Sequence, residues 1–331
     1  MLNRQTFENQ NLAELHVHVG GATDPAILWN LAHEQGIKLP TKDFWEFVDM
    51  FTITSDKINW EDFHKLFYWT ELIQSSTQAM QACVHQLVGG AYRNCNITLL
   101  EISFNPMFRC RNGERDMDHI IMSAIHGMDK AMLEYPQVKA GLIFLIDRRL
   151  SVEKNEIIVQ KAIKYKNRGV VGIDLAGPDP QNQEFHFKDL QNCFLLAKQN
   201  GLGAAVHCGE HKGEEEVFQA IEYLNPDRII HGIQSYRNKQ LLEEISRRGI
   251  TVCLCPTVNL KTGFIKDLEQ LKDIVVAFKN AKIKFCINTD NPEFFQINLI
   301  KEFKLLLDNN ILSREELLAA NKVARENSFI K

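Results

Sequence analysis

The sequence has no long apolar run and little excess of either charge. The longest apolar stretches, such as GLIFLI at 141–146, are far shorter than the roughly 20 residues that a membrane-spanning helix needs. A formal net charge of −4 provides no positive field to attract nucleic acid or an anionic membrane surface. We therefore expect neither nucleic acid nor a membrane as a partner, and a small molecule remains the expected one.

The sequence also shows no secretory signal, disulfide framework or linker. Its first ten residues, MLNRQTFENQ, are polar and lack the apolar core of a signal sequence. Eight cysteines are scattered between Cys83 and Cys286 without the spacing of a small disulfide-rich domain. No Ser/Gly-rich stretch or long charge block divides the chain. We expect a single domain over residues 1–331 in a reducing, cytoplasmic setting.

What the sequence does contain is a repeated pattern of short apolar runs followed by amphipathic segments. The runs lie at 13–19, 97–104, 138–146, 170–177, 201–207, 228–232, 250–256 and 283–289. The segments between them have helical periodicity, as in the stretch that begins at residue 152 and ends at Gly169. Eight strands alternating with helices predict an α/β fold, a (β/α)8 TIM barrel. An open, doubly wound sheet is the alternative.

A long insertion follows the first predicted strand. Residues 24–95 are rich in aromatic side chains and helical periodicity, and they are too many for a simple loop. From this position the insertion would either cover the C-terminal mouth of the barrel as a lid or pack on its side as a helical hairpin. Phe63 and Phe67 would accordingly be gate residues at a binding pocket or core residues.

Side chains that can bind a metal lie at the ends of four predicted strands. His16 and His18 share one face of the first run, because strand residues alternate between faces. His207, His231 and Asp290 end the fifth, sixth and eighth runs. Each has an ordinary structural explanation when taken alone, but barrel enzymes carry their catalytic groups at this edge. Imidazoles with a carboxylate suit one Zn²⁺, which lowers the pKa of a bound water towards about 7 and so predicts metal-assisted hydrolysis.

The order of several short motifs resembles that of a known family. ELHVHVGGA, GIDLAG, VHCGE, HG, CP and NTDNP occur in this order between Ala13 and Pro292, and the chain resembles the adenosine deaminase family of metal-dependent hydrolases. The resemblance implies a zinc-dependent deaminase of a 6-aminopurine nucleoside, with adenosine as the first candidate substrate. The cytidine deaminase class is a poor match, because its P-C-x-x-C signature is absent.

The resemblance also implies individual roles. The zinc ligands would be His16, His18, His207 and Asp290. Glu210 would protonate the purine N1, His231 would orient the attacking water, and Asp290 would accept the proton of that water. Contacts with the substrate are expected from His18, Gly177, Asn291, Phe63 and Phe67, with the backbone N–H of Gly177 facing the purine N3.

Two positions depart from the family pattern. Gly20 stands where the family usually has an aspartate that binds the ribose 5′-hydroxyl, so we expect that anchor to be lost and space to open. Asn291 replaces a second aspartate that contacts the purine N7, and an amide can donate that hydrogen bond without a titratable proton. A 5′-modified adenine nucleoside, adenine or an N6-substituted purine are therefore alternative substrates. Another hydrolase on the same barrel and a non-catalytic binding protein are more remote alternatives.

Overall fold

A computed structural model describes residue 7 and residues 9–111, 113–181 and 184–331, so most of the polar N-terminal segment lies outside the described residues. The strands are β1 Leu12–His18, β2 Ile97–Phe104, β3 Lys139–Asp147, β4 Val170–Ala176, β5 Gly203–Cys208, β6 Arg228–His231, β7 Thr251–Leu254 and β8 Lys284–Ile287. They form one parallel sheet in sequential order. The predicted TIM barrel is confirmed.

The barrel closes where the residues after β8 meet β1. The backbone N–H of Asp290 donates to the carbonyl of His16 at 3.1 Å, and the N–H of His18 donates to the carbonyl of Asp290 at 2.9 Å. Lower on the same seam, the N–H of Leu15 donates to Asn288 Oδ1 at 3.0 Å. The alternative of an open doubly wound sheet is therefore wrong, because an open sheet would leave these edge groups unpaired.

The helices occupy most of the segments between the strands. They are α1 Pro25–Glu34, α2 Phe44–Phe51, α3 Trp60–Ile73, α4 Thr77–Cys95, α5 Met117–Glu134, α6 Val152–Lys164, α7 Gln191–Gln199, α8 Glu214–Leu224, α9 Lys239–Arg248, α10 Pro256–Lys261, α11 Leu268–Asn280, α12 Pro292–Phe295, α13 Leu299–Asp308 and α14 Arg314–Glu326. Among the helices in the described part of the chain, none combines the length and apolarity needed to cross a bilayer.

Local signals explain where α6 begins and ends. The hydroxyl of Ser151 accepts a hydrogen bond from the N–H of Lys154 and caps the first turn. The helix stops at Lys164, earlier than the periodicity predicts, and a 3₁₀ turn over Lys166–Arg168 continues to Gly169. Gly169 has a φ of 96°, which glycine adopts without the penalty of a side chain. The predicted stop is therefore correct, but the last turn is not α-helical.

The insertion between β1 and β2 contains four helices with two kinds of position. Helix α4 packs against α5 on the outside of the barrel. Helix α3 instead contributes Phe63 and Phe67 to the lining of a cavity at the C-terminal mouth. The insertion thus both extends the outer helical layer and forms one wall of the mouth.

The opposite end of the barrel is filled by a buried ion pair and the C-terminal segment. Arg228 Nη1 donates to Glu101 Oε2 at 2.6 Å and to the carbonyl of Leu15 at 3.1 Å. The ring of Phe329 stacks 3.9 Å from the Arg228 guanidinium, and its N–H donates to the other oxygen of Glu101. A Cβ on Gly203 would overlap the Phe329 ring, so the glycine makes room for this plug.

We predict that Arg228→Met lowers the free energy of unfolding by about 3–5 kcal/mol, because it leaves the fully buried Glu101 carboxylate without its cation. Denaturant titration measures the change. Arg168→Met is the matched control, since Arg168 forms a half-exposed pair with Asp129 and such pairs contribute only about 0–1 kcal/mol. Equal effects of the two substitutions would contradict the structural importance of the buried pair.

Candidate active site

The predicted ligands converge at the C-terminal edge of the strands. Asp290 Oδ1 lies 3.2 Å from His16 Nε2 and 3.1 Å from His18 Nε2. The ring centroids of His16 and His207 are 4.7 Å apart, and ligand atoms of His16, His18 and His207 all lie within 4.8 Å of one another. Cys255 also approaches His16 and Asp290, but burial raises the pKa of its thiol well above the ordinary value, which disfavours the thiolate that a metal needs.

Asp174 orients two of these histidines from behind. Its Oδ1 lies 3.1 Å from His207 Nδ1, and its Oδ2 lies 3.9 Å from His16 Nδ1. The hydrogen bond to Nδ1 fixes the His207 ring so that its Nε2 faces the centre of the cluster, and the longer distance to His16 is an electrostatic contact. Burial raises the pKa of Asp174 to about 6. Sequence reasoning did not assign Asp174 a role, although a charged residue within the apolar run GIDLAG was a signal.

The protonation states suit a divalent metal. Burial lowers the pKa of His16 to about 3 and that of His207 well below its ordinary value, so both imidazoles are neutral, as ligands must be. Burial favours a higher pKa for Asp290, but the adjacent imidazoles of His16 and His18 hold that pKa well below the ordinary value. Among the described residues, none accepts or donates a well-formed hydrogen bond at the buried His16 Nε2. Three imidazole nitrogens and one carboxylate oxygen therefore fit Zn²⁺.

Two residues of the site have a left-handed backbone. His231 has a φ of 65° and Asp290 a φ of 62°, a conformation that costs a residue other than glycine on the order of 1–3 kcal/mol. His231 is the last residue of β6 and Asp290 follows the end of β8 by three residues, so both lie at the C-terminal edge of the barrel beside the cluster. Such strain persists only where surrounding contacts fix the position, as the hydrogen bonds of the barrel seam do for Asp290.

Glu210, His231 and Asn259 form a second group beside the metal ligands. His231 Nε2 lies 3.6 Å from Glu210 Oε1 and 4.0 Å from Asp290 Oδ2. The amide nitrogen of Asn259 lies 3.1 Å from Glu210 Oε1 and 3.2 Å from His231 Nδ1. With Nδ1 accepting from this amide, the hydrogen of His231 is on Nε2 and faces the two carboxyl groups.

Burial sets the charge of this second group. It raises the pKa of Glu210 well above the ordinary value and lowers that of His231 to about 4. These shifts favour the carboxylic acid of Glu210 and the neutral imidazole of His231, which are the forms required for a proton donor and a hydrogen-bond donor. Asn259 was missed by sequence reasoning, although its motif CPTVNLKTG follows a predicted strand.

The predicted substrate-contact residues line one cavity of about 200 Å³. They are His18, Phe63, Phe67, Gly177 and Asn291. Gly177 has a φ of 87°, and a Cβ there would overlap the Asp147 carboxylate, so glycine is required. One N–H of Asn291 donates to Asp290 Oδ1 at 2.7 Å, which leaves the second N–H available to a ligand.

The expectation that Gly20 opens space is wrong. A Cβ on Gly20 would lie 2.9 Å from Thr70 Oγ1 and 3.1 Å from Phe67 Cδ1. Both neighbours belong to α3, which the sequence could not place beside β1. The volume that a side chain at this position would take is therefore filled from the insertion.

Four arginines also line the cavity, and sequence reasoning missed them. They are Arg109, Arg111, Arg148 and Arg149. They follow β2 and β3 in the segments MFRCRNG and DRRL. Two arginines after each of two neighbouring strands were a signal, because the C-terminal ends of parallel strands meet at one edge.

Comparison with known proteins extends these observations. A family model described as adenosine deaminase matches residues 11–331. Adenosine deaminase from Clostridium kluyveri is 26% identical over 316 residues, which cover 96% of this chain and 88% of that protein. An amidohydrolase from Burkholderia ambifaria with bound Zn superposes with a TM-score of 0.85 at 19% identity, covering 99% and 88% of the two chains. N6-methyl-AMP deaminase from Arabidopsis thaliana gives a TM-score of 0.82 at 21% identity, covering 99% and 95%.

We predict that Asp174→Asn lowers zinc affinity by about 10- to 100-fold, since the carboxylate that orients His207 and His16 becomes a neutral amide. Competition with a chromogenic chelator measures the affinity. Asp189→Asn, at an exposed position, is the control and should leave it unchanged. Identical affinities for the two variants would show that Asp174 does not support the metal ligands.

Proposed function

Since the chain belongs to the adenosine deaminase family and is a hydrolytic deaminase, we propose that it releases ammonia from C6 of a 6-aminopurine nucleoside, with adenosine as the first candidate substrate. The observation that carries this proposal is the meeting of the predicted metal ligands with Glu210 and His231 in one cavity. A non-catalytic protein would have no need of the strained backbone that aims His231 and Asp290 at this cluster.

We propose that one Zn²⁺ per chain is held by His16, His18, His207 and Asp290. The neutral imidazoles and the buried, unsatisfied Nε2 of His16 support this donor set, and the related amidohydrolase from Burkholderia ambifaria carries bound Zn. When bound, Zn²⁺ supplies a nucleophile at neutral pH by lowering the pKa of coordinated water to about 7.

Glu210 is the proposed proton donor to the purine N1. Addition of water at C6 breaks the aromaticity of the ring and places negative charge on N1, which a proton from Glu210 neutralises. Burial keeps Glu210 protonated, and Asn259 fixes the position of Oε1. Asn259 is thus a positioning residue for both Glu210 and His231.

His231 and Asp290 are the proposed partners of the attacking water. The Nε2–H of His231 points toward Asp290 Oδ2 and Glu210 Oε1, so a water between these groups would be oriented from two sides. The ionised Asp290 would accept the proton of that water, and His231 would donate to the oxygen as charge develops on it. The proton taken by Asp290 would then pass to the departing ammonia, and the proton left on the C6 hydroxyl would return to Glu210 as the 6-oxo group forms.

The rest of the purine would be recognised by backbone and amide groups. The N–H of Gly177 would face N3, the free N–H of Asn291 would face N7, and Phe63 and Phe67 would cover the ring. A 5′-modified adenine nucleoside, adenine and an N6-substituted purine remain alternative substrates. The last is supported by the named substrate of the Arabidopsis thaliana relative.

A substrate panel tests the proposed reaction. Adenosine, 5′-deoxyadenosine, adenine and N6-methyladenosine are incubated with the zinc-loaded protein, and the 6-oxo products are separated by chromatography. We expect a 6-oxopurine from at least one of these or from a nucleoside with a modified 5′ group. Absence of product from every aminopurine by a protein with bound zinc would refute the proposal.

We predict that Glu210→Gln lowers kcat by about 10²- to 10⁴-fold, because an amide of the same shape transfers no proton to N1. Zinc content should be unchanged, since Glu210 is not among the proposed ligands, and metal analysis checks this. Glu215→Gln, at an exposed site on α8, is the control. Retained turnover in Glu210→Gln would point to a different hydrolytic reaction.

We predict that kcat/KM falls on the alkaline side of the pH profile. The active form has a protonated Glu210, and burial raises the pKa of this group, so activity is kept below the raised pKa and is lost as pH rises through it. A pH–rate profile with saturating zinc measures this limb. If the residual kcat/KM of Glu210→Gln falls at the same alkaline pH as that of the wild type, the titrating group is a residue other than Glu210.

A further inference from the structure

The cavity continues from the predicted reaction centre to two arginines around a phenylalanine. The guanidinium carbons of Arg111 and Arg149 lie 5.8 Å and 4.9 Å from the ring centroid of Phe108. Their side chains are 34% and 44% exposed, whereas the side chains of Arg109 and Arg148 are buried. Arg111 and Arg149 are therefore the cationic groups that a ligand entering the mouth can reach.

Each of the two guanidinium groups is held in place and keeps N–H groups available. Arg149 donates from Nε and Nη2 to Asp147 at 2.8 and 2.7 Å. Arg111 donates from Nη2 to Glu71 at 3.0 Å and stacks on Tyr68. A guanidinium carries five N–H donors. Within the described residues, no acceptor engages Nη1 of Arg149 or Nε and Nη1 of Arg111.

The charges of this part of the cavity do not cancel. Arg109 and Arg111 share one carboxylate, that of Glu71. The other charged lining groups, beyond the predicted metal ligands and Glu210, are Arg148, Arg149, Asp147 and Glu216, and Asp179 outside the lining is shared by Arg148 and Lys212. A concave site with an excess of cationic groups concentrates anions. A neutral nucleoside would make no use of this excess.

The position of Gly20 indicates which end of the substrate faces the arginines. The resemblance to the family implies that this position lies beside the 5′-hydroxyl of the sugar. It contacts Phe67 and Thr70 of α3, and Tyr68 and Glu71 of the same helix contact Arg111. A group attached at the 5′ carbon would thus extend along α3 toward Arg111.

We propose that the substrate carries an oxyanion, a carboxylate or a phosphate, at its 5′ end and that Arg111 and Arg149 bind this group on either side of Phe108. The proposal rests on the proposed deamination of an adenine nucleoside. It explains why the chain has no carboxylate at position 20, since an aspartate there would repel an anionic 5′ group as it passes.

Matched substrates test the charge requirement. One pair is 5′-AMP and adenosine, and the other is 5′-S-(2-carboxyethyl)-5′-thioadenosine and its neutral amide. We expect kcat/KM to be about 10- to 100-fold higher for at least one acid than for its neutral partner, the range expected for hydrogen bonds to a charged group. The pair with the larger ratio identifies phosphate or carboxylate. Ratios near one in both pairs would overturn the proposal.

Variants test the residues. Arg111→Gln and Arg149→Gln should each reduce the preferred acid-to-neutral ratio about tenfold, mainly through KM, because each removes one charged hydrogen-bond donor. Arg168→Gln, at the opposite end of the barrel, is the control and should keep the ratio. A general loss of folding would lower both members of a pair and leave the ratio unchanged. An unchanged ratio in arginine variants that keep the wild-type kcat/KM for the neutral substrate would overturn the assignment.

Binding of the products separates this proposal from the proposed reaction. Calorimetry compares the 6-oxo products of the four compounds on wild-type protein and on the two arginine variants, with and without zinc. Tighter binding of an acidic product that weakens in the variants supports the anion site even if no deamination is seen, in which case the proposed reaction alone fails. Deamination with equal binding of acidic and neutral products would refute the anion site alone.

Discussion

Asp290 couples the closure of the barrel to the assembly of the candidate metal site. Its backbone hydrogen-bonds to His16 and His18 across the seam, and its side chain reaches Nε2 of the same two residues. Because side chains alternate along a strand, a shift of one residue at this seam would turn both histidines away from the cavity. The pairing register between β1 and the residues after β8 therefore both closes the sheet and brings the predicted metal ligands together.

The sequence predicts the parts of the molecule that depend on local periodicity. All eight strands lie within two residues of their apolar runs, and the ligands follow because they sit at strand ends. What it could not predict depends on which segments meet in three dimensions. Asn259 contacts Glu210 from another loop, and α3 fills the space beside Gly20. The sequence shows that Arg111 and Arg149 follow two neighbouring strands. Only the structure shows that both guanidinium groups lie against the ring of Phe108.

The two ends of the cavity control charge by opposite means. At the reaction end, burial disfavours ionisation, so His231 is neutral and Glu210 holds its proton. At the mouth, Arg111 and Arg149 are partly exposed and each is paired with a carboxylate, and for Arg149 the Asp147 carboxylate offsets the desolvation of the guanidinium. A single cavity can therefore offer a proton donor at neutral pH and a cationic binding surface, since the gradient of burial along it separates the two tasks.

Strand β6 shows how strain at the site is supported from the other end of the barrel. The strand has only four residues, beginning with Arg228 and ending with His231. Arg228 is fixed by Glu101, by the carbonyl of Leu15 and by the stacked ring of Phe329. A left-handed residue at the end of so short a strand persists only where the strand is fixed. Strand β6 is fixed by pairing with β5 and β7 on its two sides and by the buried ion pair at Arg228, so contacts at the stability face of the barrel support the backbone that presents His231 at the other face.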